Sequence, residues 1–347
     1  MRILITGGAG FVGHHFVEHF LKNTDWHVVI LDKLTYASNG FERLRDIEAY
    51  RDDRVTVLSA DFTQPLPDGI KQEIGAVDYI FHLGAESHVD NSIKNPEPFV
   101  VSNVVGTMHM LNFAREQNEL GNLQCFFYFS TDEVFGPAPD GVEYGEEDRH
   151  NPTNPYSASK SGGEMLVKAY RNSYGLPAII TRSMNIFGER QHSEKFIPMV
   201  IKKVLNGETV TIHANSDKTK AGSRFYIHGR NVADGYLHLV KLIEEEEDLL
   251  NQTPPPNHLI FPIGQDFHIT GEQEVDNLEL AQTIADIMGK ELRYEMVDFH
   301  SSRPGHDLRY ALDGWKMKTY GWEPPKTFRD SLRKTIEWTL EHQEWLK

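Results

Sequence analysis

Gly7, Gly8, Gly10 and Gly13 punctuate the segment Ile3-Leu4-Ile5-Thr6-Gly7-Gly8-Ala9-Gly10-Phe11-Val12-Gly13, between an apolar run that reads as a strand and an amphipathic run that reads as a helix. A strand turns this abruptly into a helix only where the backbone is unhindered by side chains. Gly7 or Gly8 supplies the tight turn, Gly10 lets backbone approach a pyrophosphate, and Gly13 lets helix and strand pack closely. The first N–H groups of such a helix lack intrahelical acceptors and suit an anion. A bound dinucleotide is therefore the first expectation, with Gly7, Gly10, Phe11, Val12 and Gly13 around its phosphates.

The remaining pattern agrees with that start. Strands are expected at Arg2–Ile5, His27–Leu31, Val55–Leu58, Tyr79–Leu83, Gln124–Ser130 and Ala178–Thr181. Helices are expected near Val12–Lys22, Phe41–Tyr50, Pro98–Gln117 and Pro155–Tyr174. Strands separated by helices of this length predict an α/β fold, a Rossmann-type doubly wound, mostly parallel sheet. Beyond residue 182 the rhythm loosens, with helices expected at Glu194–Leu205, Gly229–Glu246, Asn277–Met288 and Thr327–His342. The expected division is a cofactor domain over 1–182, which also carries the reactive residues, and a smaller mixed α/β substrate domain over 183–347. Some segments of the second part should return to the sheet.

Asp32 ends the second strand, roughly 20 residues after the glycines, where a carboxylate accepts hydrogen bonds from an adenosine ribose and repels a 2'-phosphate. That favours NAD over NADP, with Lys33 a partial counterweight and Thr35 expected beside the same cofactor. Position alone places Asp61 and Phe62 beside the adenine, and Leu83 and Ala85 where the cofactor crosses the sheet.

Two further segments carry reactive chemistry. Ser130-Thr131-Asp132-Glu133 follows the most apolar strand, and Asn154-Pro155-Tyr156-Ser157-Ala158-Ser159-Lys160 opens a helix. Tyr156 and Lys160 share one helix face. A nearby ammonium is expected to lower the phenol towards the range of a working proton acceptor. Thr131 is expected to share the substrate hydroxyl proton, with Ser130 structural. This trio suffices for alcohol oxidation by NAD. Asp132 and Glu133 add what a plain dehydrogenase does not need. Two crowded, buried carboxyls separate into an acid and a base.

Composition narrows the partners. Fifty-one Asp and Glu against 35 Lys and Arg give a net charge of −16, with no basic patch for nucleic acid or anionic lipid. Cys125 is the single cysteine, so neither an internal disulfide nor a thiolate-rich metal centre is available, and no metal site is expected. No apolar stretch approaches the ~20 residues of a membrane-spanning helix. A cytoplasmic location is expected.

In these motifs the chain resembles the nucleotide-sugar 4,6-dehydratases of the extended short-chain dehydrogenase/reductase superfamily, and within them the dTDP-glucose type. The resemblance rests on Gly7–Gly13, Asp32–Ala37, Phe81–Asp90, Ser130–Gly136, Asn154–Lys160, Glu194–Pro198 and Arg303–Asp307. It implies that Tyr156 takes the proton from the sugar 4-hydroxyl, Glu133 removes the C5 proton and Asp132 protonates the departing 6-hydroxyl. It also implies Glu86 and Ser87 beside nicotinamide and hexose, and Asn185, Lys195, Arg224, Asn231, Arg303 and His306 around the nucleotide diphosphate. A homodimer through the helices near Pro98–Gln117 and Pro155–Tyr174 is implied as well.

The chain departs from the family's pattern at several points. Asn185-Ile186-Phe187-Gly188 replaces Asn-Asn-Tyr-Gly, Arg224-Phe225-Tyr226-Ile227-His228 replaces the usual aromatic turn, Phe135 replaces tyrosine and Gly84 replaces alanine. A UDP-hexose or other nucleotide-hexose substrate, and a nucleotide-sugar 4-epimerase that makes no use of Glu133 as C5 base, are the alternatives. His82 and His88 are assigned no catalytic role.

Overall fold

The computed structural model describes residues 1–35, 38–250, 262–298 and 309–347. Its centre is a seven-stranded, wholly parallel sheet. The strands are β1 (Arg2–Thr6), β2 (His27–Asp32), β3 (Val55–Ser59), β4 (Tyr79–His82), β5 (Cys125–Thr131), β6 (Ala178–Ser183) and β7 (Asp266–Ile269). Their spatial order is β7-β6-β5-β4-β1-β2-β3. The chain moves outward from β1 to β3, then crosses back to lay β4 on the other side of β1. A crevice opens at that reversal, at the carboxyl ends of the strands.

The strands are apolar on both faces because both are covered. Ile3, Ile5, Val28, Ile30, Phe81 and Phe127 point to one side, against Phe16 and Phe20 of α1 (Phe11–Asn23). Leu4, Val29, Leu31, Ile80 and Phe126 point to the other, against Met110, Leu111 and Ala114 of α2 (Thr107–Glu119) and Val167 of α3 (Pro155–Tyr174). The period-two alternation of strand side chains thus divides one sheet between two cores.

The second half of the chain is shared between layers. Helix α5 (Gly229–Leu250) places Val232, Tyr236 and Val240 in the first core, and β7 adds Phe267 and Ile269 to it. Helices α4 (Phe196–Asn206), α6 (Asn277–Ile287) and α7 (Phe328–Glu341) enclose a separate core with Val200, Ile201, Leu280, Ile284, Leu332 and Ile336. Among the described residues no helix is long and apolar enough to cross a membrane.

Three local departures from the sequence expectations have physical causes. The helix expected over Phe41–Tyr50 stops after Glu42–Asp46, and Glu48 at φ 58° turns the chain into a short 3-10 segment, Ala49–Arg51. Pro98–Gln117 is not one regular helix. Val101–Gly106 widens into a π-helical turn between Glu97–Val100 and α2. There Asn103 ties its side chain to both backbone groups of Glu86 and to Ser159 Oγ, each at 2.9 Å, so the wide turn serves the loop beside the cleft. A short helix at Asp68–Ile74 carried no sequence expectation.

Candidate active site

The crevice is a cleft of about 530 Å³ running from the glycine turn, past β4 and β5, to Lys195 and Arg224. That volume lies in the range of small-molecule sites.

Its first end is a glycine turn of the kind that can cradle phosphates. Gly7 has φ +70°, and a Cβ there would sit 2.7 Å from Gly84 Cα. A Cβ on Gly13 would fall 2.1 Å from Gly7 O, so helix and turn touch backbone to backbone. Gly10 caps α1 without any side-chain bond, leaving the helix's first N–H groups for a ligand. Asp32 faces the same space, its carboxylate accepting from Ala9 N–H (3.1 Å) and Leu34 N–H (2.8 Å). Burial raises its pKa, opposed by those hydrogen bonds and by Arg43 and Lys33. These features fit NAD.

Gly84 also has a local reason. A Cβ there would lie 2.6 Å from the Phe62 ring, and one on Gly106 would lie 2.7 Å from it. The large Phe62 side chain, which lines the cleft, therefore needs glycine on two sides.

The reactive end is built where β5 stops and α3 starts. Asn154 caps α3, its Oδ1 accepting from Ser157 N–H at 2.9 Å, and its Nδ2 donates to Glu133 Oε2 at 2.9 Å. One side chain thus starts the helix and positions the carboxylate. Thr131 Oγ1 donates to Asp132 Oδ1 at 2.9 Å and is hydrogen-bonded to the Tyr156 side chain. Thr131, Asp132, Glu133, Tyr156 and Lys160 all line the cleft.

Electrostatics here divides into one agreement and one correction. Burial raises both carboxyls, Asp132 to about 6 and Glu133 to about 7, the latter helped by the charge of Asp132. The pair therefore holds one proton near neutrality, as an acid and base working together require. Tyr156, however, is raised rather than lowered, first by burial and then by the charges of Glu133 and Asp132. Lys160 does not offset this. Its Nζ donates to Phe129 O at 2.6 Å and lies 4.2 Å from the Tyr128 ring centroid, and burial lowers it to about 7.

The other expected residues divide as follows. Lys33, Thr35, Leu83, Ala85, Glu86, Ser87, Asn185, Lys195 and Arg224 line the cleft with those above. Arg224 stacks on Tyr310, 5.0 Å from the ring centroid, and its charge lowers both Asp132 and Glu133. Asp61 and Asn231 lie outside it. Asp61 is exposed and accepts from Thr63 N–H at 2.9 Å, closing its own turn. Asn231 is buried and donates to Lys326 O at 2.7 Å, tying α5 to the loop before α7. Arg303 and His306 lie outside the described residues. His82 is packed and bonded to Thr6 and Thr107, whereas His88 lines the cleft while its Nδ1 accepts from Asn91 N–H. Phe135 is buried, stacked on Tyr144 with Arg182 over its face and the His150 and His268 rings edge-on to it.

Arg43 and Tyr310 line the cleft without having been anticipated. Arg43 is only 1% exposed, its guanidinium donating to Arg190 O and Ser38 O. Nothing in a single exposed-looking Glu-Arg-Leu-Arg run marks one arginine as buried beside Asp32.

The chain matches the family model described as GDP-mannose 4,6 dehydratase over residues 4–335. It is similar to the dTDP-glucose 4,6-dehydratase of Salmonella typhimurium, at 37% identity covering 100% of this chain and 94% of that protein. It is equally similar, at 37% identity, to a low-salt glycan biosynthesis protein of Haloferax volcanii, over 99% of this chain and 100% of that one. Among solved structures it resembles the dTDP-glucose 4,6-dehydratase of Streptomyces venezuelae crystallised with NAD, with a TM-score of 0.83 and 32% identity over 100% of this chain and 99% of that one.

Proposed function

The chain belongs to the nucleotide-sugar 4,6-dehydratases of the extended short-chain dehydrogenase/reductase superfamily, and we propose that it converts dTDP-glucose to dTDP-4-keto-6-deoxyglucose and water as an NAD-dependent hydro-lyase. The observation that carries this reading is the sharing of one buried end of the cleft by Tyr156, Thr131 and two carboxyls raised to about 6 and about 7.

Residues 1–182 hold the cofactor and the reactive groups, and 183–347 chiefly hold the nucleotide, with Asn185, Lys195 and Arg224 at the diphosphate. Thr131 and Tyr156 engage the sugar 4-hydroxyl, and Tyr156 takes its proton. NAD held by Gly7, Gly10, Gly13, Asp32 and Lys160 would supply the hydride acceptor for C4 and the donor for C6, and its positive charge would favour the Tyr156 phenolate. The new 4-ketone acidifies the C5 hydrogen, which Glu133 removes. Asp132 protonates the departing 6-hydroxyl, water leaves, and C5 is reprotonated as C6 is reduced.

Incubation with dTDP-glucose tests the assignment by mass spectrometry. Loss of one water is expected. A product of unchanged mass contradicts dehydration and indicates epimerisation.

Turnover is expected to be bell-shaped in pH, with its maximum between about 6 and about 7. Below the lower value the pair holds two protons and has no base, and above the upper it holds none and has no acid. A rate that stays level from well below about 6 to well above about 7 contradicts the pairing. Replacing Asp32 by Ser is expected to erode NAD preference over NADP by ~10–100-fold, the worth of a charged hydrogen bond. The neighbouring Lys33 and Arg43 then favour the phosphate. Unchanged cofactor ratios contradict the role of Asp32.

A homodimer through the helical run near Pro98–Gln117 and α3 is part of the proposal, supported by the exposure of Val100 on the first and of Met165 and Tyr174 on the second. Light scattering returning a monomer mass contradicts it. A cytoplasmic location is proposed on the single, buried Cys125.

A further inference from the structure

Lys160 is buried on α3, and burial brings its pKa down to about 7. Its charge at neutral pH therefore depends on what stands against its nitrogen. Phe129 O accepts one of its N–H groups at 2.6 Å. Glu164, one turn further along α3, favours the charged form. The third neighbour is Tyr128 of β5, whose ring centroid lies 4.2 Å from Nζ. A cation over an aromatic face is attracted by the ring quadrupole, most strongly where water is excluded. Both residues are buried here. An ammonium has three N–H donors, so the carbonyl and the ring leave donors free for the cleft that Lys160 lines.

The ring is anchored at its far end. Its hydroxyl lies 3.3 Å from Lys160 O and is hydrogen-bonded to Thr107. Thr107 Oγ1 lies 3.2 Å from His82 Nε2, and His82 Nδ1 lies 2.7 Å from Thr6 Oγ1. A buried polar chain connected in this way favours one arrangement of its members. Gly163 makes room for it, since a Cβ there would lie 2.2 Å from the Tyr128 hydroxyl oxygen. Glycine weakens a helix interior, and the close approach of the phenol gives α3 a reason to carry one. A phenylalanine at this position would fill the core without requiring it.

We propose that Tyr128 is a positioning residue for the oxidation at C4, its anchored ring face keeping the Lys160 ammonium charged and in place one helical turn from Tyr156. The inference rests on the reaction proposed above, in which that oxidation precedes elimination. Tyr128 lies behind the cleft wall rather than in it and acts through Lys160. Without the attraction of the ring, Lys160 falls further below its ordinary range. The lysine is then neutral over an interval where the wild type is charged, and its charge returns as the pH falls. Other groups around it leave that interval readable. His82 on β4 is held at about 3 and stays neutral, while Tyr128 and Tyr156 are both raised. Glu164 is held by Arg182. Asp132 and Glu133 titrate close to the same interval, so each rate is taken as a ratio to a parent with the same acid pair.

The parent is NAD-loaded Glu133→Gln protein, which lacks the C5 base and so reports oxidation alone. It is mixed with dTDP-glucose, and the rate of rise in reduced-cofactor absorbance is read. Three further changes are made in it: Tyr128→Phe, Tyr128→Leu, and replacement of Tyr128 by a trifluorinated phenylalanine. The fluorinated ring keeps the shape of the side chain but loses the negative face, so it answers for the quadrupole even if Tyr128→Leu does not fold. Tyr128→Phe keeps the ring and is expected within about 3-fold of the parent. Tyr128→Leu and the fluorinated ring are expected to be ~5–30-fold slower at about pH 7.5, the worth of a desolvated cation–π contact. Both are expected to recover towards the parent rate by about pH 5.5, which a merely structural defect does not do. A fluorinated ring as fast as the parent at the higher pH overturns the inference, and so does a deficit of equal size at both. Absence of any absorbance rise in the parent itself refutes the proposed reaction, and this inference with it.

Discussion

Glu133→Gln is expected to lower product formation by ~10²–10⁴-fold, the usual worth of a positioned proton acceptor, while leaving the first half of the reaction running. Glutamine keeps the length of the side chain, and its carbonyl can still accept from Asn154 Nδ2, which holds Glu133 at 2.9 Å. What it loses is the negative charge that removes the C5 proton. That charge also raises Tyr156, so neutralising it makes the phenol easier to ionise. Oxidation at C4 should therefore proceed and then stall. Mixing the variant with dTDP-glucose should give a rapid rise in reduced-cofactor absorbance, followed by slow or absent water loss. Dehydration at the wild-type rate contradicts the role of Glu133, and so does loss of the absorbance rise itself.

Tyr156→Phe is expected to abolish both signals, with turnover down by at least ~10²–10⁴-fold. The substitution deletes one oxygen and little else. The backbone N–H of Tyr156 bonds to Ser92 Oγ at 3.1 Å, and its ring packs edge-on against Phe99, 6.4 Å between centroids. Neither contact needs the hydroxyl. Fold and NAD binding should therefore survive, whereas the hydrogen bond to Thr131 and the acceptor for the 4-hydroxyl proton are gone. The two variants separate the half-reactions: one accumulates reduced cofactor, and the other never makes it. A burst in Tyr156→Phe equal to that in Glu133→Gln contradicts the assignment.

The features legible in the sequence were those whose chemistry is local. The glycine turn announces itself because backbone contacts such as Gly13 against Gly7 leave no space for a Cβ, and that demand is written into consecutive residues. The acid pair and the Tyr156–Lys160 spacing are local in the same sense. Most strands of the sheet were legible because both faces are buried, so they carry apolar runs, whereas the edge strand Val55–Ser59 is only half-buried. The last strand, Asp266–Ile269, carried no sequence expectation. It is short, it begins with an aspartate held by Arg171 and Arg182, and its place beside β6 is fixed only by tertiary pairing.

What depended on three-dimensional assembly stayed hidden. Asn231 and Asp61 had the right chemistry and a plausible position, yet each spends its side chain on a neighbouring backbone group. Arg43 looked like one of two equivalent helix cations, and only packing buries it beside Asp32. The direction of the Tyr156 shift was misjudged because spacing along a helix reports which residues share a face, not how much water surrounds them. Burial and two adjacent carboxylates outweigh an ammonium engaged with the Phe129 carbonyl.

The most direct test of the proposed reaction follows the hydrogen that leaves C4. dTDP-glucose deuterated at C4 is supplied in ordinary water, and the product is examined by mass spectrometry and proton NMR. The label should reappear at C6 of a product that has lost one water, with a solvent proton at C5. Retention of the label at C4 in a product of unchanged mass would contradict the account.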